Sequence, residues 1–110
     1  MGCKIYFFQN DRGEEVVTKF IQQQEKAAIS KISRKIDLLA QYGFLLGMPH
    51  AKKITTDLYE LRIRGVEELR IIYGFNKGNA YLLHGFKKQT QEISGKDLDV
   101  ASIRYKKLLT

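Results

Sequence analysis

Residues 58–88 read LYELRIRGVEELRIIYGFNKGNAYLLHGFKK. Three apolar-rich runs, at 58–63, 69–75 and 80–86, are separated by the turn residues Arg64-Gly65 and Asn76-Lys77-Gly78-Asn79. Each run reads as a strand. A hairpin turning on Lys77-Gly78 would pair Asn76 with Asn79, Tyr73 with Leu82, Ile71 with His84 and Arg70 with Gly85. Side chains alternate between faces along a strand. One face then carries Leu69, Ile71, Tyr73, Phe75, Ala80, Leu82, His84 and Phe86, joined by Tyr59, Leu61 and Ile63. The other carries Leu58, Glu60, Arg62, Arg70, Ile72, Leu83, Gly85 and, just beyond, Lys87. A slip of one residue would mix the two sets, so their separation argues for this register.

Outward from this sheet, residues 4–8 (KIYFF) read as a further strand. Asp11 followed by Glu14 resembles a capping box that opens a helix carrying Val16, Val17, Phe20 and Ile21 on one side. Lys26–Tyr42 shows a second helical pattern through Ile29, Ile32, Ile36 and Leu39, with Gly43 suited to its C-cap. Whether the two helices are one bent helix is open, because residues 22–25 hold no strong breaker. Residues 44–57 read as a loop. Ser94 or Asp97 starts a last helix with Leu98, Ile103, Leu108 and Leu109. The order β-α-α-β-β-β-α is an α+β fold, with helices against a small antiparallel-rich sheet.

The chain has 110 residues, which suits one domain over 1–110. Its 44% apolar content argues against disorder. Nineteen Lys and Arg against 12 Asp and Glu leave a net charge of +7, a field that attracts nucleic acid, an anionic membrane or an acidic protein. The same charge also serves plain solubility. A single cysteine, Cys3, allows no internal disulfide and fits a reducing compartment. No apolar run reaches a membrane span and the first residues do not form a signal peptide, so a cytoplasmic protein without a membrane partner is expected. His50, His84 and Cys3 have no metal-ligand spacing, and no phosphate-binding glycine loop or nucleophile elbow is present. No metal and no cofactor are expected.

Glu60, Arg62, Arg70 and Lys87 on one sheet face suit phosphate, because guanidinium donates parallel hydrogen bonds to phosphate oxygens. Cross-strand ion pairs on a solvated face explain the same residues. Gly85 opposite Arg70 would leave room for a phosphate or a backbone to approach. His84, on the apolar face, reads as a core histidine rather than a general base. His50 lies in a loop beside Lys52 and Lys53, within reach of a phosphate or simply at the surface.

The elements LYELR (58–62), LRIIY (69–73) and LHGFKK (83–88), in that order and spacing, resemble the RelE/HigB-like toxins of type II toxin–antitoxin systems, especially the branch common in phages. The chain departs from that pattern at Leu69, where an aromatic is common, and near Ser94, where proline is common. Residues 89–94 also lack the tyrosine or histidine some relatives carry there. The resemblance implies a RelE-like fold and a ribosome-dependent endoribonuclease that cuts mRNA. Its partners would be a helix-turn-helix, HigA-like antitoxin and mRNA on the ribosome. It implies Arg70 and Lys87 as phosphate-contacting residues, with Glu60 and Arg62 as further catalytic candidates and Lys88 toward RNA; Lys52, Lys53 and His50 join as RNA-binding candidates from their place together in the loop. In such chemistry the RNA 2′-OH attacks the adjacent phosphorus. Glu60 would accept its proton, Lys87 or Lys88 would protonate the leaving oxygen, and Arg62 and Arg70 would stabilise charge. Rival readings are a non-catalytic toxin of the same fold acting on DNA gyrase, a ribosome- or RNA-binding domain, and an inactive relative kept for its antitoxin.

Overall fold

Lys77 and Gly78 both hold left-handed backbone, with φ of 53° and 80°. That geometry matches the twist of the strands they join. It sets Asn76 against Asn79 and Tyr73 against Leu82, as expected. The computed structural model describes residues 2–110 and builds outward from this hairpin. Its elements are β1 (Ile5–Phe7), α1 (Val16–Gln22), α2 (Lys26–Tyr42), β2 (Ala51–Lys53), β3 (Leu58–Ile63), β4 (Leu69–Asn76), β5 (Asn79–Lys87) and α3 (Gly95–Leu109). The five strands form one sheet in the order β1-β5-β4-β3-β2. β1 runs parallel to β5, and the other pairs are antiparallel. The fold is α+β, as expected, with one strand more than the sequence indicated. β2 lies within the stretch read as a loop, paired to β3 through Lys52 and Glu60.

Val17, Ile32, Leu39, Leu61, Ile63, Ile71, Tyr73 and Leu82 form the core between the sheet and the pair α1 and α2. α3 covers the other face, its Ala101 packing with Phe8, Leu58, Ile72, Leu83 and Phe86. The sheet is therefore buried on both sides. Tyr105 donates to the Phe75 carbonyl at 2.8 Å and ties α3 to β4. Among the described residues no helix is long and apolar enough to cross a membrane.

The helix boundaries follow local hydrogen bonding. Gly43, with φ 53°, ends α2 as expected. α1 and α2 are separate helices, because the Gln24 side chain donates to the Phe20 carbonyl at 2.9 Å and closes the end of α1. The capping box at Asp11 and Glu14 does not form. Asn10 organises that turn instead, its Oδ1 accepting from the backbone N–H groups of Arg12 and Glu14. Glu15 then precedes α1 without a side-chain cap.

The expected hairpin register holds from Asn76 to Tyr73 and then shifts. Ile72 pairs with His84, Ile71 with Gly85, Arg70 with Phe86 and Leu69 with Lys87. Leu83 is the extra residue of a β-bulge. Beyond it, every side chain of β5 lies on the face opposite to the one expected. Gly85 does not stand across from Arg70 but under Phe20 of α1, where an added Cβ would come within 2.3 Å of the ring. Close helix packing therefore explains this glycine without any phosphate.

The shift also turns His84 away from the α1–α2 core and toward α3. Its Nε2 lies 2.7 Å from Asp97 Oδ1. Ser94 caps α3 by accepting from the Asp97 N–H at 3.1 Å, and its hydroxyl donates to Asp97 Oδ2 at 2.7 Å. Burial alone would raise the Asp97 carboxyl, but the hydrogen bonds with His84 and Ser94 outweigh it and hold the group below the ordinary carboxylate range. The arrangement does not form a serine-nucleophile triad, since the hydroxyl meets the carboxylate rather than the imidazole.

Two outcomes follow. Gly85→Ala should lower folding stability by about 1–3 kcal/mol through overpacking against Phe20, read by chemical denaturation. An unchanged midpoint would contradict that packing. A depressed folded-state carboxyl contributes stability above its unfolded value, near pH 4, and loses it as pH falls through the lower folded value. Asp97→Asn should therefore be less stable than the parent at pH 7, with the gap narrowing toward pH 2.5. A gap that is constant or widens in acid would exclude this role.

Candidate functional site

Glu60 and Arg62 lie two residues apart on β3, so they share a face, and Arg62 pairs directly with Arg70 of β4. Two guanidiniums opposite each other repel. Glu60 offsets this. Its Oε1 lies 3.7 Å from Arg70 Nε and its Oε2 lies 3.8 Å from Arg62 Nε. All three side chains are buried, with exposures of 3% for Glu60, 9% for Arg62 and 1% for Arg70. The sequence allowed for cross-strand ion pairs on a solvated surface. The pairs are present, but the face is buried: Ile93 and Leu98 border the cavity at Glu60, Phe86 stands across from Arg70, and Met48 lies against Arg62.

Arg70 is held at several points. Its Nη1 donates to the Leu69 carbonyl at 2.9 Å, and its Nη2 reaches Glu68 Oε1 at 3.2 Å. The Arg62 Nη1 lies 3.3 Å from the Met48 sulfur. At the centre the pairing is loose, since Glu60 Oε1, Arg62 Nε and Arg70 Nε are buried without a hydrogen-bond partner. Such groups are costly in a protein interior and concentrate where a site does chemistry or binds something.

Glu60 forms the floor of a cavity of about 260 Å³, bordered by Lys52, Lys88, Glu92, Ile93 and Leu98. Lys52 stands directly across from Glu60 and shares its face. The backbone of Lys88 donates to the Glu68 carbonyl at 2.7 Å, which fixes its place beside the end of β4. The structure thus brings together Glu60, Arg62, Arg70, Lys52 and Lys88.

Other expected residues lie apart from this group. Lys87 pairs with Leu69, on the opposite face from Arg70, and its ammonium sits 2.9 Å from Glu67. The expected grouping of Arg62, Arg70 and Lys87 into one phosphate-gripping pocket is therefore corrected, and the bulge at Leu83 is the reason. Lys53 takes the face of Tyr59, its ammonium 5.9 Å from that ring centre, although it also borders the cavity. His50 turns to α2, with Nδ1 2.8 Å from Lys35 Nζ. Sequence reasoning missed Phe86, which lies across from Arg70, and the roof residues Ile93 and Leu98. The consecutive Leu82 and Leu83 were the only sign of the register change. Among the described residues no group of three His, Cys, Asp or Glu side chains is placed to hold a metal ion.

A buried acid between two arginines, beneath a cavity edged by lysines, is what can be set beside known proteins. The family model described as Phage derived protein Gp49-like (DUF891) matches residues 19–106, which include every residue of this site. No curated protein matches the sequence. The chain belongs to the phage-derived Gp49-like proteins, a RelE/ParE-like toxin family of toxin–antitoxin systems.

Proposed function

We propose that the chain is a HigB-like toxin that cuts messenger RNA on the ribosome, acting in the cytoplasm and neutralised by a helix-turn-helix antitoxin. One observation carries this reading. Glu60, buried and lacking a hydrogen-bond partner at Oε1, faces a cavity edged by the ammonium-bearing Lys52 and Lys88. RNA brings its own nucleophile, the 2′-OH, so the protein need supply only proton transfer and charge stabilisation. Glu60 takes the 2′-OH proton as oxygen attacks phosphorus in line. The bond to the 5′-oxygen breaks, that oxygen takes a proton from Lys88, and a 2′,3′-cyclic phosphate remains. Lys52 supports the negative charge on the phosphoryl oxygens. Arg62 and Arg70 act through Glu60, fixing the carboxylate and keeping positive potential beneath the phosphate. Lys53 and Lys87 add to the field that draws RNA in.

A second reading is favoured by the burial of the whole cluster, Glu60 as much as Arg62 and Arg70, which leaves little of these three side chains open to a substrate. In it the ion cluster is a brace, and the toxin inhibits DNA gyrase, or occupies the ribosome, without cutting RNA. Induction in bacteria separates the two, since one halts translation with new mRNA ends and the other halts replication or leaves mRNA whole.

Arg70→Ala is a poor test of chemistry, because it strands a buried carboxylate and costs about 3–5 kcal/mol of stability. Glu60→Gln keeps the shape. Cleavage by the folded Glu60→Gln protein should fall by about 100- to 10,000-fold, read by mapping mRNA ends and by thermal denaturation. Parent products should carry 2′,3′-cyclic or 3′-phosphate ends and form undiminished with chelator. Full activity of Glu60→Gln, or 5′-phosphate ends that require a metal, would overturn the mechanism.

A further inference from the structure

A second cationic groove lies on the other side of the sheet edge. Lys31, Arg34 and Lys35 stand on one stripe of α2, Arg64 follows β3, and His50 closes the groove from the loop before β2. They line a cavity of about 440 Å³, together with Leu38 and Pro49, that no carboxylate and no Phe, Tyr or Trp ring borders. None of Lys31, Arg34, Lys35 and Arg64 has an ion-pair partner among the described residues, whereas Arg62, Arg70 and Lys87 all do. Desolvation, followed by the nearby charges of Arg64 and Arg34, pushes the Lys35 ammonium down from its ordinary value. The protein bears the cost of crowding like charges here, and a bound anion would relieve it.

We propose that this groove grips the sugar–phosphate backbone of structured RNA and anchors the protein there, leaving the Glu60 cavity to act on a neighbouring strand. The His50 imidazole that borders the groove is engaged by Lys35 at 2.8 Å, and one small ring is a poor platform for successive unstacked bases, which are usually held by stacking. Guanidiniums and ammoniums without base-edge partners read phosphates and carry no sequence preference. The groove also connects physically to the first site. The His50 carbonyl accepts from the Arg62 N–H at 2.8 Å, so one loop ties the groove to the strand that bears Glu60. The functional division between anchor and cutter rests on the proposed ribonuclease activity, but the binding itself does not.

The test therefore uses RNA that cannot be cut. Binding of a fully 2′-O-methylated RNA hairpin to the whole protein is measured by fluorescence anisotropy across a salt series. Arg34→Gln/Arg64→Gln is compared with Lys4→Gln/Lys106→Gln, which changes net charge equally at exposed positions elsewhere. The groove variant should bind at least tenfold more weakly at 100 mM salt, with the slope of log affinity against log salt reduced by roughly 1.5–2. The control should change less than threefold, and Lys35→Gln should reproduce part of the groove effect. Equal losses in groove and control variants would reduce the groove to a diffuse field and overturn the proposal. Unchanged RNA binding by the groove variant would overturn it too. So would a selective loss of polyglutamate binding with RNA binding intact, which would assign the groove to an acidic protein. The methylated hairpin offers no free 2′-OH, so failure of the cleavage mechanism would leave this result standing.

Discussion

Leu83 has no partner on β4, and that single unpaired residue sorts the chemistry of the molecule. Before it, β5 sends Ala80 and Leu82 toward α1 and α2. After it, His84 and Phe86 face α3, and Gly85 and Lys87 face the other way. A strand without the bulge would set a glycine and a lysine around Arg70. The strand as built sets a phenylalanine there and pins α3 through the histidine beside it. Part of the cover over Arg70 comes from this local change in strand geometry.

A carboxylate between two guanidiniums in a dry sheet face is an expensive arrangement. Interior ion clusters of this kind often contribute less to stability than apolar side chains of the same volume. Here the distances of 3.7 and 3.8 Å leave even the hydrogen bonds incomplete. Folding alone gives little reason to keep it. A reaction that needs a positioned acid over positive charge gives a better one, since buried groups act strongly where water is excluded.

Much of the architecture was readable from the residues. β3 had its bounds in the alternation of LYELRI, and the bounds of β4 and β5 differed from expectation by single residues at their ends. α2 followed its isoleucine and leucine spacing, and Ser94 did start α3. Glu60, Arg62 and Arg70 were correctly placed on one face, because no irregularity lies between β3 and β4. Other features left little trace. β2 is three residues, Ala-Lys-Lys, whose pairing depends on the exposed edge of β3 rather than on its own propensity. The bulge offered two adjacent leucines, and adjacent apolar residues are ordinary in a strand buried on both faces. Lys87, His84 and Gly85 were misassigned together for that one reason. The burial of the charges was hidden as well, since it depends on where Met48, Phe86 and the segment from Ile93 to Leu98 come to lie.

The roof over Glu60 comes from Ile93 and Leu98, later in the chain than every strand beneath it. No strand of the sheet includes either residue. A local opening of that segment would therefore wet the acid while every strand pairing persists, so hydration of Glu60 can respond to movement near residues 93–98 at far less than the cost of global unfolding.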